Sequence, residues 1–117
     1  NNTFVVVGDS GTILTSSGAS TWTSRTSGSS NNLTGITYGN STFVAVGANG
    51  TMLTSTDNTS WTTTGSGISS TLWGVTYGNG IFVAVGQTGT ILTSSDGISW
   101  TSRSSGTSSH LEDVISN

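Results

Sequence analysis

Few side chains in this sequence could do chemistry. Among 117 residues there are two arginines, no lysine, five carboxylates and one histidine, which are Asp9, Arg25, Asp57, Asp96, Arg103, His110, Glu112 and Asp113. Catalysis requires several such groups to converge on one point. Glu112 and Asp113 are neighbours on a predicted strand, so their side chains point to opposite faces and cannot pair as glycosidase carboxylates do. His110 has neither a cysteine nor a second histidine with which to share a metal, and we expect a solvent-exposed loop residue.

The sequence also lacks the motifs of common enzyme classes. It has no Ser/His/Asp order and no zinc-ligand spacing, and its glycine-rich stretches lack the lysine of a phosphate-binding loop. We therefore expect no catalytic residue, no metal and no cofactor, and we predict that the protein is not an enzyme.

The composition argues against several classes of partner. With two arginines and no lysine, the chain lacks the basic surface that binds nucleic acid or anionic membranes. No apolar run approaches the roughly 20 residues of a membrane span. Only 6% of the residues are charged, against about 25% in a typical soluble domain. A polar, charge-poor chain of this kind favours an extracellular or cell-surface location.

Aromatic residues recur at a fixed interval of 39 residues. They are Phe4, Phe43 and Phe82, and Trp22, Trp61 and Trp100. The copies 1–39, 40–78 and 79–117 align without a gap, and 16 of their 39 columns are identical. Repeats of this length indicate one structural unit stacked several times, which predicts a single repeat domain over 1–117.

Each copy contains four short runs of strand-forming residues. Around the middle copy the predicted strands are 33–38, 42–46, 51–55 and 61–64. Asn-Gly steps such as Asn49-Gly50 favour tight turns, because glycine adopts positive φ without strain. The run 43–46 is apolar on both faces, as a strand between two neighbouring sheets requires.

This spacing predicts an all-β protein of β-propeller blades, with three four-stranded antiparallel repeats of 39 residues. A Ser/Thr-rich β-solenoid is the alternative fold. Solenoid coils are usually shorter than these repeats and lack repeated Asn-Gly hairpins, so the propeller is favoured.

Two turns between the third and fourth strands share a motif. They are Ser55-Thr56-Asp57-Asn58-Thr59-Ser60-Trp61 and Ser94-Ser95-Asp96-Gly97-Ile98-Ser99-Trp100. The motif resembles the Asp-box of BNR-repeat propellers, the sialidase-like and photosystem-assembly-factor-like family. It is one residue shorter here, and the first copy has Gly18 in place of the aspartate. In such a turn the carboxylate can accept backbone N–H bonds and the tryptophan can pack on the blade. We expect structural roles for Asp57, Asp96, Trp22, Trp61 and Trp100.

The resemblance does not extend to the sialidase active site. Sialidases of that family use an arginine cluster, a tyrosine nucleophile with its glutamate, and an acidic acid/base residue. Arg25 and Arg103 occupy equivalent positions in different copies, so they are predicted to be spread around a ring rather than clustered. A hydrolase fragment is therefore the weakest hypothesis. An edge-strand role is the simplest alternative for both arginines, because charge on an edge discourages unwanted pairing.

The predicted strands are offset relative to the repeats. Residues 4–25 supply the second, third and fourth strands of one blade, and 111–116 supply a first strand without a blade. Propellers typically need about four to eight blades, so three cannot close within one chain. We predict that 111–116 inserts beside strand 4–7 of another copy, as β-strand addition in a head-to-tail contact. The residues expected in this assembly are Phe4, Val5, Val7, Leu111 and Val114.

Several assemblies satisfy this prediction. Two copies of three repeats form a six-bladed ring, which we favour, and three copies form a nine-bladed ring. An open series of copies forms a filament. If the sequence is a segment of a longer protein, covalently linked blades would take the place of the second copy.

We therefore expect a non-enzymatic extracellular structural or interaction module that self-assembles by strand exchange. The alternative is a carbohydrate-binding propeller lectin with Trp73, Arg25 and Arg103 as ligand-binding residues. Trp73 is the one tryptophan outside the repeated column, and its ring could stack on a sugar or fill a blade interface. The arginines could bond ligand hydroxyls or carboxylates.

Overall fold

Three antiparallel sheets follow one another along the chain in the computed structural model, which describes residues 3–117. Blade 1 contains β1 (Phe4–Val7), β2 (Ile13–Ser16) and β3 (Thr23–Arg25). Blade 2 contains β4 (Leu33–Gly39), β5 (Thr42–Gly47), β6 (Met52–Ser55) and β7 (Thr62–Thr64). Blade 3 contains β8 (Leu72–Gly78), β9 (Ile81–Gly86), β10 (Ile91–Ser94) and β11 (Thr101–Arg103).

Each blade is an up-and-down sheet whose strands lie in chain order. This confirms the prediction of blade-like β-sheets, and the four predicted strands of blade 2 each differ from the observed ones by one residue. The remaining regular structure consists of three short 3-10 turns, Asp9–Gly11, Ala48–Gly50 and Gln87–Gly89. Within residues 3–117 no helix is long and apolar enough to cross a membrane.

Blade 1 has three strands, as the predicted offset of the strands relative to the repeats requires for a single chain. In this blade β1 pairs only with β2, and no other segment of residues 3–117 pairs with its free edge. A strand joins a sheet only through backbone hydrogen bonds to a neighbour, and residues 3–117 offer none at this edge. No sheet is closed by strand exchange in this structure of one chain.

The tight turns predicted from the Asn-Gly steps are confirmed. Between β8 and β9, Asn79 and Gly80 have φ of 52° and 78°. Two successive residues with positive φ form the hairpin turn whose twist matches that of the flanking strands. Between β5 and β6, Asn49 and Gly50 also have positive φ, 59° and 72°.

Blade 2 is packed between the other two blades. Val44 and Val46 of β5 are fully buried and belong to a cluster with Phe82 of blade 3. Ala45 belongs to a second cluster, with Ile13 of blade 1. Because successive strand residues point to opposite faces, a strand with neighbours on both sides must be apolar throughout, as the sequence predicted.

The first strands of neighbouring blades approach each other closely on one side of the molecule, which we call the inner side. A Cβ atom on Gly35 of β4 would lie 3.3 Å from the Cα of Gly74 in β8. A Cβ atom on Gly39 would overlap the ring of Tyr77. Glycine at these positions therefore lets β4 and β8 lie side by side without a clash.

The segment 111–117 continues this inner row without joining a sheet. The Leu111 N–H donates to the Gly86 carbonyl at 2.9 Å, as the Leu33 N–H donates to the Gly8 carbonyl at 2.9 Å. A Cβ atom on Gly74 would lie 3.2 Å from the Cα of Asp113. The segment therefore lies against β8 in the place that β8 takes against β4, where a first strand of a further blade would lie.

Candidate functional site

The two Asp-box turns have the same hydrogen bonds. In each, the carboxylate Oδ1 accepts two backbone N–H bonds and one serine hydroxyl bond. The donors are Thr59 N (2.9 Å), Ser60 N (2.9 Å) and Ser55 Oγ (3.1 Å) for Asp57, and Ile98 N (2.9 Å), Ser99 N (3.0 Å) and Ser94 Oγ (3.0 Å) for Asp96. These bonds occupy the carboxylates inside their own turns, which is the geometry of a structural element.

The same bonds stabilise the charged form of both carboxylates. The backbone N–H of Ser60, followed by that of Thr59, holds the pKa of Asp57 below its ordinary value. The backbone N–H of Ile98, followed by that of Ser99, does the same for the pKa of Asp96. A general acid needs the opposite shift, so neither carboxylate is tuned for acid catalysis at neutral pH.

The tryptophans after the boxes pack on their own blades. The indole N–H of Trp61 donates to the Asn58 carbonyl at 3.3 Å, and its ring centroid lies 6.1 Å from that of Phe43. The indole N–H of Trp100 donates to the Gly97 carbonyl at 3.2 Å. In blade 1 the aspartate is replaced by Gly18, and only the Ser16 hydroxyl accepts the turn N–H groups, from Gly18 at 3.3 Å and Ala19 at 2.8 Å. These contacts within each blade are those expected of structural residues, and they involve no ligand.

Blade 1, at the N-terminal end of the stack, has one exposed apolar face. We define this leading face by Phe4, Val6, Leu14 and Trp22. Phe4 is 55%, Val6 44% and Trp22 38% exposed. The residues at the same repeat positions in blade 3 are Phe82, Ala84, Leu92 and Trp100, which pack in the cluster shared with blade 2. Blade 1 therefore presents to solvent the surface that blade 3 buries.

The opposite end of the stack presents the complementary surface. We define this trailing face by Val83, Val85 and Ile91 of blade 3. At the same repeat positions in blade 2 are Val44, Val46 and Met52, which are fully buried against blade 3. Val83 and Ile91 are half-buried, whereas Val85 is already buried within the single chain. The chain thus carries at its two ends the two halves of the interface found between blades 2 and 3.

Unpaired backbone lies beside each of these faces. The free edge of β1 borders the leading face, and segment 111–117 lies after blade 3 on the inner side. Of the assembly residues predicted from the sequence, Phe4, Val5 and Val7 lie on β1, and Leu111 and Val114 lie in that segment. Within one chain the structure does not bring the two groups together, so their pairing stays a prediction.

The three predicted ligand-binding residues do not form one site. Arg25 lies on β3 and Arg103 on β11, the outermost strands of their blades. The Nε of each arginine donates to a threonine hydroxyl of the adjacent strand, Thr15 or Thr93, at 3.0 Å. These threonines and arginines line shallow cavities of about 300 and 320 Å³.

Trp73, by contrast, lies on β8 at the opposite edge of the sheet from Arg103. It occupies the bulge between Leu72 and Gly74 and is 38% exposed. Any ligand bound by Trp73 would therefore meet a different part of the blade from one bound by the arginines.

The structure gives His110 a contact that sequence reasoning missed. Its Nδ1 accepts a hydrogen bond from the Thr88 N–H at 3.0 Å, although the side chain is exposed as expected. The same repeat position in the first copy is Asn32, whose Oδ1 accepts from the Ser10 N–H at 2.9 Å. The signal in the sequence was a residue with a hydrogen-bond acceptor directly before the leucine of each first strand.

No group of three or more potential metal ligands occurs among the described residues.

Comparisons with known proteins support the fold alone. No family model matches the chain, and no curated protein matches it. Among solved structures, the chain is similar to YCF48 bound to D1 peptide, with 23% sequence identity and a TM-score of 0.69. The match covers 84% of this chain and 34% of that chain, so this chain spans about a third of that protein's length. The molecule therefore has a β-propeller-like fold.

Proposed function

We propose that this chain is a non-enzymatic interaction module that self-assembles with copies of itself by exchanging a β-strand. The observation that carries the proposal is the presence of two complementary unpaired elements. The free edge of β1 lacks a neighbour within residues 3–117, and segment 111–117 occupies a first-strand position without a sheet. Joining one to the other completes a four-stranded blade between two copies.

Physical chemistry favours this joining. An edge strand presents a row of unpaired N–H and C=O groups, which is a template for pairing with another chain. Each contact of this kind is head to tail, because the C-terminal end of one copy meets the N-terminal end of the next. Head-to-tail contacts close into rings when the rotation between copies allows it and otherwise continue as filaments.

Three further observations support the class of function. The solved neighbour is a propeller bound to a peptide, and a role in protein interaction fits the fold. The Asp57 and Asp96 carboxylates are occupied in their turns, which supports a non-enzymatic role. The low charged fraction of 6% supports an extracellular or cell-surface location.

The test is the mass of the chain in dilute solution by light scattering. We expect a multiple of the 11.8 kDa chain, with two copies in a six-bladed ring as the favoured species. A matched variant that ends at His110 is expected to run as a monomer, with circular dichroism confirming that its sheets remain. A well-folded monomer of the full chain would contradict the proposal.

A carbohydrate-binding function is the second candidate, and the exposed ring of Trp73 favours it. Aromatic faces on a blade edge can stack on the apolar face of a sugar. We expect a glycan array to show selective binding that Trp73→Ala abolishes and the outer-strand variant Arg103→Ala does not. Equal binding by wild type and Trp73→Ala would exclude Trp73 as the sugar contact.

A further inference from the structure

We infer a defined seam between copies, in which segment 111–116 pairs antiparallel with β1 of a second copy while the trailing face receives that copy's leading face. This inference rests on the proposed self-assembly and specifies its register and its second contact surface. It follows from the repetition of one interface within the chain.

The register follows from the two complete blades. In blade 2, Ile36 lies opposite Ala45 and Tyr38 opposite Phe43. In blade 3, Val75 lies opposite Ala84 and Tyr77 opposite Phe82, with the same register shift at the start of the first strand.

The same repeat positions give the pairing at the seam. They place Asp113 opposite Val7, Val114 opposite Val6, Ile115 opposite Val5 and Ser116 opposite Phe4 of the second copy. A slip by one residue would turn every side chain of the segment to the wrong face. The register shared by blades 2 and 3 is therefore the one expected at the seam.

Segment 111–116 is already held in position for this pairing. Its first residue, Leu111, is bonded to the Gly86 carbonyl at 2.9 Å, and Asp113 lies against Gly74 of β8. His110 adds the bond from the Thr88 N–H. Because Asp113 and Ser116 already lie against Gly74 and Gly78 of β8 before a partner arrives, association costs less ordering of the backbone than it would for a free segment.

The side-chain surfaces complement each other as well as the backbones do. Of the leading face, Phe4, Leu14 and Trp22 have the same residue types as Phe82, Leu92 and Trp100 of blade 3. Of the trailing face, Val83 and Val85 have the same types as Val44 and Val46 of blade 2, and Ile91 stands where blade 2 has Met52. Val6 of the leading face stands where blade 3 has the smaller Ala84. At the other positions the seam between copies repeats the packing between blades 2 and 3.

A second copy is the occupant that this match selects. An unrelated strand could satisfy the backbone edge of β1, but it would bring no surface to cover Phe4, which is 55% exposed. The trailing face of another copy of this chain provides that surface. The two contacts act together, so a copy of this chain gains both from one encounter.

The register is tested by disulfide cross-linking, because the chain contains no cysteine. Chains with Val6→Cys are mixed with chains carrying Val114→Cys and oxidised mildly. Directly opposed residues lie within the Cα separation that a disulfide spans, so a covalent heterodimer is expected. The mixture of Val5→Cys with Ile115→Cys is expected to behave in the same way. The mismatched mixture of Val6→Cys with Ile115→Cys, whose side chains point to opposite faces, is expected to give none.

The face contact is tested by Phe4→Ser, whose parent side chain is exposed in the single chain. We expect the dissociation constant of the assembly to rise on the order of tenfold or more. The matched control is Ile98→Ser, an exposed apolar residue outside both faces, which is expected to leave association unchanged.

The outcomes separate this inference from the function on which it rests. Oligomers that cross-link only in the mismatched pair, or not at all, would overturn the register while leaving self-assembly standing. Oligomers that are unaffected by Phe4→Ser would overturn the face contact. A monomer by light scattering would overturn both, together with the proposed self-assembly.

Discussion

At the scale of single residues, the side chains that recur in each repeat are used by the fold. The Asp57 and Asp96 carboxylates each accept two backbone N–H bonds. Blade 1 forms the corresponding turn with Gly18 and the Ser16 hydroxyl alone. The carboxylate is therefore an addition to a turn that the serine already organises.

The lowered pKa of Asp96 predicts a dependence of stability on pH. Between the ordinary carboxyl value of 3.8 and the lower folded value, the unfolded chain binds the proton and the folded chain does not. The contribution of Asp96 to the free energy of unfolding is therefore fully present above that ordinary value and is lost as the pH falls through the folded value. We expect Asp96→Asn to flatten this acid slope in denaturation curves. Asp9→Asn serves as the charge-matched control, and equal slopes for wild type and Asp96→Asn would contradict the prediction.

At the scale of elements, the first strands are positioned by bonds made at their N-terminal ends. Leu33 and Leu111 donate to the carbonyls of Gly8 and Gly86, both at 2.9 Å. The preceding side chain adds a second bond, because Asn32 or His110 accepts an N–H group of the 3-10 turn. This pair of bonds lies at the start of β4 and at the start of segment 111–117.

Removal of the acceptor at residue 110 is expected to loosen the C-terminal segment. In His110→Ala the Thr88 N–H loses its partner, and a hydrogen bond contributes about 1 kcal/mol. We expect the protection of the Leu111 N–H against hydrogen exchange to fall about fivefold in that variant. His110→Asn should retain the protection, because Asn32 accepts the corresponding bond in the first repeat. Identical exchange in His110→Ala and wild type would show that the Leu111 bond holds the segment alone.

At the scale of the whole molecule, the stack is open at both ends while its interior is packed. Val44 and Met52 are fully buried between blades, whereas Phe4 and Val6 at the leading face are 55% and 44% exposed. Burial of a large apolar side chain contributes roughly 1.5–3 kcal/mol. The single chain therefore lacks the stabilisation that burial of its open faces would contribute, and association would supply it.

The assembled chain is accordingly expected to unfold at a temperature that depends on its concentration. Association stabilises the folded state by mass action, and a tenfold rise in concentration should raise the midpoint by roughly 2 to 5 °C. Scanning calorimetry over a hundredfold range of concentration measures this shift. The variant that ends at His110 should show a constant midpoint, and a constant midpoint for the full chain would argue against association.

The local architecture could be predicted from the sequence because its causes are local. The strand-forming runs and the Asn-Gly steps act over a few neighbouring residues. Together with the 39-residue period they predicted the blades and the tight turns, including the positive φ of Gly50. The apolar run at 43–46 likewise predicted a strand with neighbours on both sides. The small number of titratable residues is likewise a property of the sequence alone.

Only the tertiary structure decided how distant parts of the chain meet. It held segment 111–117 against β8, and it placed Trp73 and Arg103 on opposite edges of one sheet. It also placed the Thr88 N–H where it donates a hydrogen bond to His110. These outcomes depend on backbone partners tens of residues away and on which face of each blade is covered. In a repeated sequence, equivalent positions carry similar residues in every blade. Only the packing of the blades distinguishes the faces that are buried from those that remain open.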